Sequence, residues 1–387
     1  MKTVDTSVEH VSPGGAERPG RVERLRALSL RALPSMYDAS RKRFVFCMRY
    51  SDDALSTEGL SNRYTAITLI GLAGEDPSDA QDVLHGHQME AVCGSLLGEL
   101  ESMKYVGDVA LTVWAAVATN HPHAGRARTH LEQRVRETGA APTVDVAWAL
   151  TALSLGAGDG ASEGVRARAA MLLRSAYEPD CGLFRHAVGS RSGLRSHVAC
   201  FADLVYPVQA LAHYHQLSGD AEALRIAERC GRAMCESQGL DGQWWWHFDA
   251  RTGKTLEGYP VYAVHQDAMA PMALFALADA GGTMYHDAIE RGLNWLDAAR
   301  ELRGGTLVDE SAGMIWRKVA RREPRKIVRG MQALAARVHP AVRVPGVGVA
   351  FPPGTIDYEC RPYHLGWLLY CWPKARAASW DAERGNP

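Results

Sequence analysis

The chain alternates between two kinds of hydrophobic pattern, and the first kind is almost continuously apolar. Six segments begin with polar residues and continue as runs of small and apolar residues. A helix that is apolar on nearly every side is buried on every side, so each segment predicts a buried helix. These segments are 62–73, 107–118, 143–155, 198–214, 263–280 and 358–372.

The second pattern is amphipathic. In residues 221–236, for example, Leu224, Ala227 and Met234 recur at helical spacing among Glu and Arg residues. Such a stripe predicts a surface helix that buries one face. The same pattern appears in segments 22–33, 79–100, 124–138, 164–177 and 284–300.

Six buried helices that alternate with six half-buried ones predict an all-α (α/α)6 toroid, in which an inner ring of helices lies inside an outer ring. An irregular helical bundle and an open α-solenoid are the alternatives. Polar and aromatic residues at the starts of the inner segments favour a ring with a central cavity. We expect one domain over 23–375, a flexible tail over 1–22 and a polar end over 376–387, with a weak strand signal at 344–351.

Charge narrows the classes of partner. The 387 residues include 43 Lys and Arg against 44 Asp and Glu, a net charge of −1. This balance argues against a nucleic-acid or anionic-membrane partner, since both require clustered positive charge. The basic run 317–329 is the exception, and we interpret it as a solvated helix face, with binding of phosphate oxygens as the alternative.

The sequence lacks the features that are typical of secreted, membrane-spanning and disulfide-bonded proteins. The first 26 residues lack the apolar core of a secretory signal, and no apolar run reaches the roughly 18 residues that span a bilayer. The eight cysteines are scattered without a CxxC pair, which indicates reduced thiols rather than a disulfide framework. We therefore expect a cytoplasmic protein that binds a small molecule and does not insert stably into membranes.

An aromatic-rich stretch at 238–267 carries a family resemblance. Gln238, Gly242 and Trp244 form a QxxxGxW motif, followed by Trp245 and Trp246. The motif resembles the repeat of triterpene cyclases, in which the Gln caps a neighbouring helix and stacks on the Trp. Three consecutive tryptophans cannot all face one core, so we expect at least one of them to line a cavity.

The inner segment that starts at Thr143 resembles the helix carrying the DxDD motif of class II terpene cyclases, in which an acidic Asp protonates an alkene or epoxide. Only Asp145 is retained, because Thr143 and Val146 occupy positions of flanking acids. Without those carboxyl groups, the hydrogen bonding that makes such an Asp strongly acidic is missing.

The last inner segment is similar to the Cys and Tyr-His elements of protein prenyltransferase β-subunits, which bind zinc through Asp, Cys and His. Asp357, Cys360 and His364 would share one helix face at positions i, i+3 and i+7. A divalent metal is therefore a candidate here, with a packed thiol and a hydrogen-bonded His as the alternative. No other cofactor is expected.

Acidic groups at the starts of inner helices are the candidates for catalysis, because a toroid directs these ends to one rim. We expect Asp145, Glu359 and the pair His265 and Asp267 to supply acid or base, with helix capping or structural hydrogen bonding as the alternative for Asp267. The candidates for substrate binding are polar and aromatic residues of the same region. They are Arg63, Tyr64, Asp108, Trp148, His197, Trp244, Trp246, His247, Tyr259, Tyr262, Tyr363 and His364.

Three functions fit these residues. The resemblance implies a terpene cyclase or prenyltransferase-like enzyme whose aromatic walls stabilise a carbocation from an isoprenoid. The alternative is a carbohydrate-active six-hairpin enzyme, that is, a hydrolase, a lyase or a uronyl epimerase. In that enzyme, Asp145 with Asp267 or Glu359 would form the carboxylate pair. A non-catalytic toroid scaffold is the third reading.

Overall fold

The computed structural model shows helix pairs arranged in a ring. It describes residues 19–51, 54–156, 162–189, 196–323, 327–339, 342 and 344–384. The α-helices are α1 (Arg21–Ala32), α2 (Asn62–Leu72), α3 (Pro77–Val83), α4 (Met89–Leu97), α5 (Val106–Ala118), α6 (Ala124–Glu137), α7 (Thr143–Leu155), α8 (Glu163–Ala176), α9 (Ala202–Ser218), α10 (Ala221–Glu236), α11 (Ala270–Asp279), α12 (His286–Asp297), α13 (Ile327–Val338), α14 (Val347–Ala350), α15 (Pro362–Cys371) and α16 (Lys374–Arg384).

The predicted (α/α)6 toroid is confirmed. The inner helices α2, α5, α7, α9, α11 and α15 pack each against the next, and α15 returns to pack against α2. Each of the six predicted buried segments overlaps one of these helices. The starts of three segments differ, because Val198–Cys200 is a strand before α9, His265–Met269 is a π-helical turn before α11, and Glu359–Cys360 is a strand before α15.

Two glycines bring the first and last inner helices together. A Cβ atom on Gly71 of α2 would lie 2.2 Å from the carbonyl oxygen of Gly366 of α15. A Cβ atom on Gly366 would in turn lie 2.8 Å from the carbonyl oxygen of Ile67. Only glycine permits this contact of two backbones, so the two residues close the ring.

The outer ring consists of α1, α3 with α4, α6, α8, α10 and α12, which cover the predicted surface segments. Each buries a stripe, as α10 does with Ile226, Cys230 and Met234. The packed unit continues past residue 375, because α16 lies against α1 and buries Ala377 and Trp380. Residues 1–18 of the predicted tail lie outside the described residues, and α1 begins at Arg21.

Short antiparallel strands connect the helix pairs near the ends where the inner helices begin. The strands are β1 (Tyr37–Asp38), β2 (Arg43–Ser51), β3 (Ala54–Leu60), β4 (Ala141–Pro142), β5 (Tyr177–Glu178), β6 (Leu183–Phe184), β7 (Ala187–Val188), β8 (Val198–Cys200), β9 (His247–Asp249), β10 (Thr255–Glu257), β11 (Val261–Tyr262), β12 (Val308–Asp309), β13 (Met314–Ile315), β14 (Lys318–Arg321), β15 (Pro353–Asp357) and β16 (Glu359–Cys360).

Two local predictions are wrong. The expected strand at 344–351 is instead the short helix α14, and the strand of this region, β15, follows it. The basic run 317–329 is not one solvated helix face, since β14 pairs with β11 and β15 and α13 begins only at Ile327. Residues 324–326 of the run lie outside the described residues.

The QxxxGxW motif joins two neighbouring outer helices. The Nε2 of Gln238, just after α10, donates to the carbonyl oxygens of Gly242 and of Ala288 in α12, both at 2.9 Å. Gly242 has φ +101°, and a Cβ atom there would lie 2.0 Å from the carbonyl oxygen of Arg291. The motif therefore requires glycine for a close approach.

None of the described helices is long and apolar enough to cross a membrane.

Candidate functional site

A cavity of about 590 Å³ lies at the rim where the inner helices begin. This size is typical of small-molecule sites. Eight of the predicted site residues line it: Arg63, Tyr64, Asp145, Trp148, Trp246, Tyr262, His265 and Tyr363. The other lining residues are Ile67, Tyr105, Pro142, Val144, His186, Ala202, Tyr206, Met269, Arg317 and Arg361.

Asp145 is the carboxyl group of the cavity wall. It lies in the first turn of α7, and only 5% of the residue is exposed. Burial raises its pKa by more than the positive charge of Arg63 lowers it, and the nearby Asp108 raises it further. Such a carboxyl group keeps its proton to a higher pH than an exposed Asp, which suits a proton donor.

The position of Asp145 depends on a glycine in the neighbouring inner helix. A Cβ atom on Gly107 of α5 would lie 2.4 Å from Oδ1 of Asp145. We expect Gly107→Ala to displace the carboxyl group, and a misplacement of about 1 Å lowers the rate by about 100-fold where such a group takes part in catalysis. Overpacking should lower the free energy of unfolding by about 1–3 kcal/mol.

The matched control for this variant is Gly125→Ala in the first turn of α6, where an added Cβ atom meets no neighbour within 4 Å. Urea unfolding of both variants provides the test. Equal stability of the two variants would show that the space beside Asp145 accommodates the added methyl group.

Three guanidinium groups line the cavity. Arg63 donates through Nε to Asp108 at 2.7 Å and lies 5.2 Å from the Trp148 ring centre. Arg361 donates to the Tyr64 hydroxyl at 2.7 Å. The third group, Arg317, lies 5.3 Å from the Tyr262 ring centre. Cation–π contacts hold these groups against aromatic faces.

Glu359 lies behind two of these arginines rather than in the cavity. It is 2% exposed and accepts hydrogen bonds from Arg49 and Arg317, both at 3.2 Å, and from Nε of Arg361. The carboxylate of Glu359, a predicted catalytic acid, is thus hydrogen-bonded to three guanidinium groups. Its geometry indicates that it positions Arg317 and Arg361.

His265 lines the cavity but does not pair with Asp267. Its ring lies 4.5 Å from that of Phe201 and 5.0 Å from that of Tyr262. Burial lowers its pKa to about 3, so the imidazole is neutral near pH 7 and cannot serve there as a cationic acid.

Asp267 lies in the π-helical turn, fully buried beneath the cavity. Its two carboxylate oxygens are 2.8 and 2.9 Å from Nε2 of His364 in α15. The structure therefore replaces the expected pair of His265 with Asp267 by a buried pair of Asp267 with His364. Because this pair does not reach the cavity, it fits structural hydrogen bonding, the alternative to catalysis for Asp267.

Besides His364, five predicted binding residues lie outside the cavity lining. Trp244 is 1% exposed and packs against Phe201, whereas His247 stacks on Trp246 with ring centres 4.1 Å apart. The Tyr259 hydroxyl donates to Glu301 at 2.6 Å. The other two are His197, whose Nε2 lies 3.0 Å from the carbonyl oxygen of Ala333, and Asp108, which is held by Arg63. Of the three tryptophans, Trp246 lines the cavity, as expected for at least one of them.

The predicted metal ligands Asp357, Cys360 and His364 do not converge. They belong to β15, β16 and α15, so they share no helix face. Asp357 instead bonds Lys318 at 2.6 Å, and burial raises the pKa of the Cys360 thiol to about 12. Among the described residues, the ligand atoms that do lie within 4.8 Å of one another are those of His186, Cys200 and Asp203.

That cluster is satisfied by hydrogen bonds. Nδ1 of His186 lies 3.0 Å from Oδ2 of Asp203, which also accepts from the backbone N–H of Cys200 at 2.8 Å. His186 lines the cavity, and sequence reasoning missed it. Its partner Asp203 comes 17 residues later on another element, so local spacing gave no signal.

Comparisons with known proteins identify the fold. No protein-family model matches the sequence, and no curated protein matches it. Among solved structures, the chain is similar to the unsaturated glucuronyl hydrolase of Bacillus sp. GL1 (TM-score 0.59, 13% identity, covering 91% of this chain and 95% of that one).

Two further structures are similar over nearly their full lengths. One is an unsaturated glucuronyl hydrolase specific for heparin (TM-score 0.59, 11% identity, 95% and 97% coverage). The other is the α-1,6-mannanase of Salegentibacter sp. HEL1_6 (TM-score 0.53, 12% identity, 92% and 99% coverage). The chain thus shares the α/α-toroid fold of these glycosidases. The toroid part of the terpene cyclase resemblance is confirmed, and its terpenoid part is not supported.

Proposed function

We propose that the protein is a glycoside hydrolase that acts on a sugar bearing a carboxylate, with Asp145 as the proton donor. The observation that carries this proposal is the placement of one buried carboxyl group of raised pKa in a cavity with three guanidinium groups. A general acid needs a pKa near the working pH. A substrate carboxylate needs cationic partners.

The walls of the cavity suit an acidic sugar. Trp148, Trp246 and Tyr262 offer aromatic faces to a sugar ring, and Arg63, Arg317 and Arg361 offer planar donors to its carboxylate. Arginine is the side chain best matched to the two oxygens of such a group. The aromatic residues would bind the sugar ring of the substrate, and the arginines would bind its carboxylate.

In the proposed reaction, Asp145 gives its proton to the leaving glycosidic oxygen as the bond from that oxygen to the sugar carbon breaks. A water molecule adds to the sugar carbon and gives its proton to a second carboxylate. We assign this role to Asp108, which lies just outside the cavity lining and is held beside Asp145 by Arg63. The products are the free acidic sugar and the remaining saccharide.

The names of the similar structures support an acidic sugar, because two of them are glucuronyl hydrolases. The residues around Asp145 also argue against an isoprenoid substrate. Asp145 lacks the flanking acids of the DxDD motif, and its surroundings are Arg63 and Asp108. The carbohydrate alternative is therefore the function that we propose.

The test compares three substrates at matched concentration. These are an unsulfated Δ4,5-unsaturated glucuronyl disaccharide, 4-nitrophenyl β-glucuronide and neutral 4-nitrophenyl β-glucoside. We expect at least one acidic substrate to be hydrolysed and kcat/KM for the neutral glucoside to be at least ~100-fold lower, as expected when buried cations lose their partner. Equal turnover of the neutral glucoside, or thermal stabilisation by geranyl diphosphate without hydrolysis of either acidic substrate, would contradict the proposal.

A further inference from the structure

Three side chains that can bind a metal ion meet at the edge of the cavity. They are His186, between β6 and β7, Cys200, the last residue of β8, and Asp203, in the first turn of α9. One ligand atom from each residue lies within 4.8 Å of the other two. The fold thus brings an imidazole, a thiol and a carboxylate together from three elements.

The measured separations suit a tetrahedral zinc ion. Zinc binds nitrogen and oxygen at about 2.0–2.2 Å and sulfur at about 2.3 Å, which places neighbouring ligand atoms of a tetrahedron about 3.3–3.6 Å apart. Nδ1 of His186 lies 3.2 Å from Oδ1 and 3.0 Å from Oδ2 of Asp203. These two side chains therefore need little movement to share one ion.

The chemistry of the three donors also favours zinc. Thiolate and imidazole ligands suit zinc, whereas calcium and magnesium prefer oxygen ligands alone. When the ion binds, the Cys200 thiol releases its proton to the solvent, and a metal–sulfur bond replaces the S–H bond. The ion would also compensate the charge of Asp203, which is fully buried and which forms an ion pair with no Lys or Arg among the described residues.

Backbone hydrogen bonds hold the three ligands in place. The backbone N–H of Cys200 donates to Oδ2 of Asp203 at 2.8 Å, which leaves Oδ1 for an ion. The carbonyl oxygen of His186 accepts from the backbone N–H of Thr143 at 2.9 Å, at the start of α7. Such outer-shell hydrogen bonds orient metal ligands. Binding would therefore replace the hydrogen bond between His186 and Asp203 and leave the backbone contacts unchanged.

Three protein ligands leave a fourth tetrahedral position for an exchangeable molecule. The His186 side chain is 61% exposed and lines the cavity, and Ala202, which lies between the other two ligands in sequence, also lines it. Asp203, on the opposite side of the cluster, is buried. The fourth position therefore faces the cavity.

We propose that His186, Cys200 and Asp203 form a zinc site whose fourth position opens into the cavity and holds a water molecule. The occupied site presents a cation to the cavity beside α9, where an oxygen atom of a ligand replaces the water. The site is independent of the proposed hydrolase activity, because it is defined by its own three ligands.

Titration of the reduced, chelator-treated protein with cobalt(II) tests the site. A cobalt–thiolate bond gives a charge-transfer band in the near ultraviolet, and tetrahedral cobalt gives intense visible bands. We expect both to saturate at one ion per chain and zinc to displace the cobalt. Cys200→Ser should remove the ultraviolet band, and Asp203→Asn should weaken cobalt binding by ~10-fold or more, since even outer-shell changes cost that much.

The matched control is Cys235→Ser, which replaces another partly buried thiol, in α10 and outside the cluster. This variant should retain both bands. Urea unfolding with a chelator present verifies that each variant folds. Asp203→Asn keeps an oxygen that can accept from the backbone N–H of Cys200, so it provides the test if Cys200→Ser does not fold.

Azide provides the test of the fourth position. We expect it to shift the visible bands of bound cobalt, because it replaces the water molecule. Visible bands that do not respond to azide would contradict an open position. The absence of the ultraviolet band at saturating cobalt, its survival in Cys200→Ser, or unweakened binding in Asp203→Asn would overturn the whole site.

Discussion

Replacing Asp145 with asparagine is expected to lower kcat on an acidic glycoside by about 10²–10⁴-fold, the usual contribution of a positioned general acid. The amide fits the same space but cannot donate a carboxyl proton. Because Arg63 and the aromatic walls remain, KM should change far less than kcat. Asp82→Asn, an exposed substitution on the outer helix α3, is the matched control and should leave both constants unchanged.

The same variant should be as stable as the unsubstituted protein near pH 7, or more stable. The pKa of Asp145 is raised in the folded state, so its contribution to stability is fully present below the unfolded pKa and is lost as pH rises through the folded pKa. Asparagine has no proton to lose, so this decline disappears. Urea unfolding at several pH values measures it.

The activity should also depend on the protonation state of Asp145. In the unsubstituted protein, kcat/KM should fall as pH rises through the raised pKa of Asp145, and the residual activity of Asp145→Asn should lack that decline. Full activity in Asp145→Asn, or a large loss of folding stability near pH 7, would show that Asp145 does not act as the acid.

Removing the buried carboxylate beneath the cavity should have the largest effect on stability. We expect Asp267→Ala to lower the free energy of unfolding by about 3–5 kcal/mol, because one partner of a buried hydrogen-bonded pair is lost. His364, only 3% exposed, would then face an empty space. The loss should be visible in urea unfolding and in a lower melting temperature.

The conservative variant Asp267→Asn separates structure from chemistry. It keeps an oxygen that can accept from Nε2 of His364, and therefore it should recover most of the lost stability along with kcat. A large loss of kcat in Asp267→Asn with unchanged unfolding would restore the catalytic role that the position of Asp267 beside His265 suggested.

Much of the fold could be predicted because complete burial leaves a direct record in the sequence. The helix at Thr143–Leu155 is apolar around its whole circumference, and its bounds were predicted to the residue. Most of the strands could not be predicted, because they are too short to show a pattern in the sequence. A pair such as Leu183–Phe184 with Tyr177–Glu178 has two residues per strand, too few for an alternating pattern to appear.

Part of the candidate site was predictable, because polar and aromatic residues lie at the starts of the inner helices. Asp145 is such a residue, since it lies at the start of an otherwise apolar helix. Arg317 and Arg361 come from connections between helix pairs and reach the cavity through tertiary folding. The sequence predicts that Asp267 pairs with the nearby His265, although its partner in the structure, His364, is 97 residues away.

The terpene cyclase resemblance shows what a short motif can and cannot indicate. Gln238 and Gly242 make the contacts between outer helices that the motif implies, so the resemblance was informative about packing. The chemistry depends on which groups reach the cavity, and the motif residues Gln238, Gly242 and Trp244 do not line it. A shared fold therefore left the substrate open.

The contact of Gly71 with Gly366 also constrains how the chain folds. An open array of helix pairs can gain stability one repeat at a time, but here the first inner helix packs against the last. On the ribosome, α2 must wait for α15, which emerges almost 300 residues later. Contacts of such long sequence separation slow folding, and a chain cut short before α15 leaves both faces of the gap exposed to water.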